Sequence, residues 1–356
     1  MNVFIQIIRL ITGLTFIFSG FVKMIDPVGT KIKMLEYFSE EVLNLSFLNP
    51  FALEISVFLI LLEFVLGIWL LIGYKSKFTI KALMLLIIVF LFLTGYSAYF
   101  NKVTDCGCFG DAIKLSPWET FYKNVVLLIL IIFLFFNKEK IRPLFRKRIT
   151  LTLAIFFVFF SVLLMVYTIR HLPLIDFRPY AIGKNITEGM KIPEGAPQAK
   201  FKDIWYYKVN GKVKEYNNSD EPWNIPGAEF VDRKTIILSE GYVPPIHDFS
   251  IENESGDDFT EQVLNEPEIY LVISAEPNEI SSRAKNIVND FADKIKNKNK
   301  KIIGLFSITD ARIQSTFHFH VYLTDATTLK TMIRSNPGVI KLENGTVVQK
   351  IAWRDL

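Results

Sequence analysis

The chain has 356 residues, 51% of them hydrophobic, and 40 Lys and Arg against 36 Asp and Glu give a formal net charge of +4. A mean hydropathy of +0.30 is high for a soluble protein, and a charge this near balance gives no footing for nucleic-acid binding. The apolar excess lies before Arg170, and the sequence after it is ordinary globular composition, long enough to bury a core.

Five stretches are long enough to cross a bilayer core of about 30 Å as helices: residues 3–22, 51–72, 79–100, 118–136 and 151–169. The first lacks an Ala-x-Ala cleavage pattern and has a long apolar run, so it reads as a retained helix rather than a signal peptide. Orientation follows from Lys and Arg in the short loops. Residues 137–149 carry Lys138, Lys140, Arg142, Arg146, Lys147 and Arg148, opposed only by Glu139, and residues 73–81 carry Lys75, Lys77 and Lys81 with no acid. Both should be cytoplasmic. Five crossings then place the N-terminus inside, and put the loop 23–50, the loop before residue 118 and everything after Arg170 on the periplasmic side. The expected location is a bacterial inner membrane, with the bilayer as first partner.

Within the second apolar stretch stands Glu63. A carboxyl there is costly and should face the bundle interior, as a proton or substrate contact or as a protonated group bonded between helices. Lys23 and Asp26-Pro27 read as interfacial snorkelling and a helix stop. Ser116-Pro117-Trp118-Glu119 is a capping box that starts the fourth membrane helix. Just before it lies Asp105-Cys106-Gly107-Cys108-Phe109-Gly110-Asp111, which holds both cysteines of the chain. Outside the cytoplasm the pair can form a disulfide. A Cys-x-Cys ring is tight, hence strained and labile, and Gly107 supplies the backbone freedom it needs. Asp105 and Asp111 would raise the thiol pKa values. A redox pair and a structural clip both fit. Metal needs further ligands.

After Arg170 the pattern changes. Residues 176–197, rich in Pro and Gly, read as a linker or lid. Residues 201–216 alternate around Asn210-Gly211, a hairpin signal. Residues 235–238 are a short strand, and 244–267 are loop-like with a turn at Gly256. From Glu268 follow a buried strand at 269–274, a helix with one apolar face from Ile280 to Ile295, strands at 301–308 and 318–323, a helix at 328–334, and a hairpin around Asn344-Gly345. Such interleaving implies a mixed sheet covered on both faces. His318 and His320 share one strand face, without a third metal ligand.

Ser19-Gly20-Phe21-Val22-Lys23, Asp26-Pro27, Glu63 with Gly67, and the Cys-Gly-Cys-Phe-Gly loop before Ser-Pro-Trp-Glu resemble the DoxX/MauE-type membrane proteins over roughly residues 1–145. Ser335-Asn336-Pro337-Gly338 with the following strand and Asn-Gly hairpin is similar to the cis-proline turn of thioredoxin. Residues 244–249, Pro-Pro-Ile-His-Asp-Phe, resemble more weakly the entry to peroxiredoxin-like domains. Where thioredoxin carries Cys-x-x-Cys, this chain reads Ser274-Ala275-Glu276-Pro277-Asn278-Glu279. The expected fold class is therefore multi-domain: a four-helix membrane unit (1–145), a fifth membrane helix (146–172), a linker and hairpin (173–262), and an α/β thioredoxin-like domain without catalytic cysteines (263–356).

The MauE resemblance implies maturation of a disulfide-rich periplasmic client; the DoxX resemblance implies quinone-linked chemistry. The leading expectation is a thiol–disulfide factor acting through Cys106 and Cys108, with Glu63 assisting and Asn336, Pro337 and Gly338 holding a client peptide. The alternative is a non-enzymatic scaffold with a structural cysteine clip. No haem, flavin, metal or nucleotide motif is evident, and a quinone is the one cofactor the resemblance implies.

Overall fold

The structure is a computed structural model and describes residues 3–103, 107–113, 115–239 and 241–356. Six helices come first: α1 (Val3–Ile25), α2 (Pro27–Phe38), α3 (Ala52–Ile72), α4 (Ser76–Phe100), α5 (Pro117–Phe136) and α6 (Lys147–Arg170). All but α2 are long and apolar enough to cross a membrane. α1 packs on α3 and α4 on α5, and α6 lies against α3 and α1. The start of α5 is the predicted capping box. Glu119 Oε2 accepts from the Ser116 backbone N–H at 2.8 Å, and Ser116 Oγ accepts from that of Glu119 at 3.3 Å.

Helix α2 is a correction to the loop expected over 23–50. Asp26 does end α1, but it also caps a new helix. Its Oδ1 accepts from the Gly29 backbone N–H at 2.8 Å, and Pro27 occupies the first helical position, where its missing N–H costs nothing. A stop and a start signal coincide in two residues.

Small residues set the α1–α3 distance. A Cβ on Gly20 would stand 2.7 Å from the Phe64 backbone N, and one on Gly67 would stand 3.0 Å from the Gly13 carbonyl oxygen. The helices touch backbone to backbone, as small residues allow in membranes. Gly20→Val should force them apart at a cost of about 1–3 kcal/mol, seen as a lower thermal midpoint of the full chain in nanodiscs; an unchanged midpoint would deny the close approach.

The two ends of the bundle differ. At one, Arg9 donates to the carbonyls of Leu70 (2.7 Å) and Leu71 (2.6 Å) at the end of α3 and to that of Arg142 (3.3 Å). The two basic loops therefore share this end with the start of α1. At the other end lie α2, the segment 107–113 and everything after α6.

That remainder holds α7 (Ile186–Met190), β1 (Lys200–Val209), β2 (Lys212–Asn217), β3 (Glu229–Ser239), α8 (Thr260–Leu264), β4 (Ile269–Ser274), α9 (Ser282–Asn297), β5 (Lys301–Phe306), α10 (Ala311–Thr316), β6 (Val321–Leu323), α11 (Ala326–Met332), β7 (Gly338–Glu343) and β8 (Thr346–Ala352). A five-stranded sheet runs β6-β5-β4-β7-β8, with β4, β5 and β6 parallel, β7 antiparallel to β4, and β8 antiparallel to β7. Every residue of the central β4 is buried. Leu271 and Ile273 face a core completed by Leu329 and Met332 of α11, while Tyr270 and Val272 face Val288 and Ala292 of α9. The mixed sheet covered on both faces is as the sequence implied.

Three differences have local causes. The stretch read as a linker or lid is docked: Gly183 N–H donates to Val347 O at 2.7 Å, and Val347 N–H to Lys184 O at 2.9 Å. The strand expected at 318–323 shrinks to three residues, because Phe317 and Phe319 turn inward while His318 leans out to Asp293 (2.9 Å). β3 extends far beyond 235–238, because its first half, with Asp232, Arg233 and Lys234, has no alternation to read. It pairs with β1 in a separate sheet, β2-β1-β3.

Candidate functional site beneath the α/β region

A cavity of about 670 Å³ lies between the end of the bundle, α2 and the α/β region. Its floor is apolar, with Val22, Ile60, Phe90 and Leu93, and its walls carry Lys23, Glu63, Cys108, Asp111, Arg178 and Arg334.

Cys108 comes from the segment 107–113, which is pinned onto α1. The Ser19 hydroxyl donates to the Cys108 carbonyl at 2.5 Å, and the Phe109 ring rests 5.4 Å from that of Phe18. Gly107 has φ +61°, where a side chain is strained. Cys106 and Asp105 lie outside the described residues. The other carboxylate expected to weigh on the thiols, Asp111, is committed elsewhere: it accepts from Arg334 Nη2 at 3.1 Å.

Glu63 does face the bundle interior, but not alone. Lys23 Nζ donates to its Oε2 at 2.7 Å, with side-chain exposures of 8% and 4%. The ammonium also donates to Ser19 Oγ at 3.3 Å and sits 5.1 Å from the centroid of the Phe90 ring. A continuous polar path thus runs from Glu63 through Lys23 and Ser19 to the Cys108 carbonyl. The snorkelling expected of Lys23 is overturned: α2 and the segment after α6 close over this end of α1, so the ammonium finds a carboxylate rather than water. A carboxyl midway along an apolar helix calls for a cation, and that was the available signal.

Arg334 was not singled out in the sequence. Its guanidinium, with a side chain 8% exposed, donates to Asp26 Oδ2 through Nε at 2.7 Å as well as to Asp111. One residue therefore joins the cap of α2, the cysteine segment and the end of α11. Nothing local marks a partner 308 positions away.

A third charged group seats the segment after α6. Arg178 and Asp176 form a fork (2.7 and 2.9 Å), Lys350 Nζ donates to Asp176 at 2.6 Å, and Arg178 Nη1 donates to Thr331 O at 3.0 Å. Burial would raise the Asp176 carboxyl, but Arg178 and Lys350 outweigh it and hold it below its ordinary value of 3.8. Burial and Arg178 push the Lys350 ammonium down to about 8 against the pull of Asp176. A depressed carboxyl contributes stability above its unfolded value and loses it as pH falls through the folded one. A depressed ammonium gains stability as pH rises above its folded value. Residues 176–184 should therefore loosen below about pH 4 and stay seated in mild base. Hydrogen exchange across that pH range reads this directly, and equal protection at both ends would refute it.

Asn336, Pro337 and Gly338 are not among the residues lining the cavity that Cys108 borders. The Asn336–Pro337 bond is cis. Asn336 accepts from Ser274 Oγ at 2.6 Å and donates to Glu276 O at 2.8 Å. With Ile273 and Ser335 it borders a smaller cavity of about 140 Å³, whose other wall is Val28, Lys31, Ile32 and Leu35 of α2. His318 and His320 are both exposed, and neither lines this cavity.

Residues 1–137 match the family model described as methylamine utilisation protein MauE. The protein named TlpB of Flavobacterium psychrophilum is 30% identical over 136 residues, which cover 37% of this chain and 36% of that protein. The matched region thus spans little more than a third of the relative's length. No solved structure matches. The first 137 residues are similar to MauE, and five helices of membrane length make the chain a multi-pass membrane protein.

Proposed function

We propose that the chain is a thiol–disulfide factor of a bacterial inner membrane, acting through Cys106 and Cys108 on a periplasmic client. The observation that carries the reading is Cys108 in the wall of a roofed cavity with an apolar floor and a buried Lys23–Glu63 pair. Such a pocket fits a flat, lipid-soluble acceptor such as a quinone. As the Cys106–Cys108 bond forms, two electrons and two protons leave the dithiol for the quinone, giving the quinol. The bond then breaks as a client dithiol becomes a disulfide, its two protons returning to Cys106 and Cys108. In this reading Glu63 and Lys23, linked through Ser19 to the Cys108 carbonyl, relay the protons of the first step. Lys and Arg in both loops at the far end support a cytoplasmic N-terminus. The α/β region is the thioredoxin-like cover. Its Asn336-Pro337-Gly338 turn meets the client when α2 withdraws.

The test is the reduction potential of Cys106–Cys108 in the nanodisc-embedded chain, by alkylation-shift mass spectrometry in glutathione buffers. A bridge that opens at mild potential supports the proposal; one that resists strong reductant removes it. A specific observation favours the second reading, a scaffold: the segment after β4 holds Glu276 paired to Lys330 (3.0 Å) where a thioredoxin has cysteines. A resistant bridge would select it.

A further inference from the structure

Three cations in residues 73–81 and six in residues 137–149 face one acid, Glu139. The fold gathers them onto one surface. Leu144 N–H donates to Ile72 O at 3.1 Å, Ser76 Oγ donates to Ile141 O at 3.3 Å, and Lys77 Nζ pairs with Glu139 at 2.8 Å. The ends of α3 and α5 and the starts of α4 and α6 therefore meet in one face, braced by Arg9 on the Arg142 carbonyl.

That face lacks negative charge. Glu139 is taken by Lys77, and among the described residues no carboxylate forms an ion pair with the other cations there. All three lysines of the first loop are exposed, as are Lys140, Arg142, Arg146, Lys147 and Arg148. The helix ends add to the imbalance. α4 and α6 start here with no acid in the first turn and no side-chain cap. The N-terminal end of a helix carries partial positive charge, and Lys77, Lys147 and Arg148 reinforce it. Orientation in the membrane asks for cations near helix ends. It does not ask that they stand exposed and unpaired on one surface.

Apolar side chains stand among the charges. Leu144 and Phe145, between Arg142 and Arg146, are 57% and 47% exposed, and Phe136 at the end of α5 is 79% exposed. An acidic protein would answer the cations and leave these groups uncovered. A phospholipid answers both, with phosphate for the cations and an acyl chain for the apolar groups, while Lys and Arg stems bridge the two levels. The face is continuous with four helices of membrane length, α3 to α6, which places it at the headgroup layer. We infer that it is a binding surface for anionic phospholipid, with residues 141–149 as the headgroup-binding segment. That segment runs from α5 to α6 across the end of α3, so a bound lipid ties the α4–α5 pair to α1, α3 and α6. The inference goes beyond the proposed thiol–disulfide function and uses none of its groups.

The test reads which lipid stays with the full chain after extraction from bilayers of equal phosphatidylcholine and phosphatidylglycerol with matched acyl chains, by mass spectrometry. Phosphatidylglycerol should be retained over phosphatidylcholine at least about tenfold. The preference should fall toward unity between about 0.05 M and about 1 M salt. Arg142→Gln, Arg146→Gln and Arg148→Gln together should remove most of it, and the same three positions changed to Lys should keep it. Lys212→Gln, Lys214→Gln and Lys234→Gln, which take the same charge from the sheet β2-β1-β3, should leave it unchanged. A thermal midpoint in phosphatidylcholine nanodiscs equal to the parent's shows the arginine variant folded; if it does not fold, the salt series on the unaltered chain decides. Equal retention of the two lipids, or a preference that ignores salt, overturns the inference. So does a preference that survives the loss of the three arginines, or one that the lysine control loses as well, because net charge alone would then be read. Polyglutamate that binds through the three arginines without displacing phosphatidylglycerol would give the face to an acidic protein and overturn it too.

Discussion

Glu63→Ala is expected to destabilise the chain by about 3–5 kcal/mol, the usual cost of removing one partner of a buried ion pair. The cost comes from the ammonium left behind. Lys23 is fixed two residues before the end of α1, with α2, Phe90 and the segment after α6 around it, and its remaining partner, the Ser19 hydroxyl at 3.3 Å, cannot balance a charge. Lys23→Met should cost a similar amount, because it strands the carboxylate. The double variant Lys23→Met with Glu63→Leu should recover most of the loss, since a well-packed apolar pair replaces a buried ion pair at little cost. Thermal unfolding of the four proteins in nanodiscs closes the cycle. Strictly additive losses would mean the two side chains do not depend on each other, contrary to the 2.7 Å contact. In the proposed reaction the double variant also separates stability from chemistry: a stable bundle that no longer passes electrons to a quinone would assign the pair to proton handling.

The membrane helices were legible because the bilayer imposes length and apolarity on each one separately, and their observed ends fall within four residues of the expected ones. The strands of the five-stranded sheet were legible for a similar reason. Ile269–Ser274 must be apolar on both faces, and Asn344-Gly345 can turn with positive φ at both residues. What escaped is what depends on two distant segments at once. Asp26-Pro27 signals an end and a beginning, and only the packing of α2 on α3 decides that a helix follows. Lys23 looks like an interfacial lysine until the cover above it is known. Arg334, sitting past a short amphipathic helix, looks like a solvated C-terminal cation. The site is made where the bundle and the α/β region meet, so Arg334 finds its partners 308 and 223 positions away, across a separation that no periodicity connects.

Arg334→Met should raise the labelling of Cys108 by a bulky thiol reagent at least about tenfold, in a Cys106→Ser background that leaves one thiol. Arg334 bonds at once to α2, through Asp26, and to the cysteine segment, through Asp111. Truncating one partner of a buried, hydrogen-bonded charge pair costs about 2–5 kcal/mol, and here it strands two carboxylates facing the same cavity. If the cover opens and closes faster than the reagent reacts, each 1.4 kcal/mol taken from the closed state multiplies labelling about tenfold. The other ties should keep the region attached: His171 Nδ1 lies 2.6 Å from Asp355 Oδ1, and the Arg178–Asp176–Lys350 group is untouched. The variant therefore opens a hinge rather than releasing the α/β region. Arg334→Lys should fall between, since a single ammonium cannot reach both carboxylates with the geometry of a guanidinium fork. Labelling equal to that of the Cys106→Ser parent would mean that Cys108 is reached by a route the α/β region does not guard. A client would then have no need to displace the cover, and Arg334 would be a brace and nothing more.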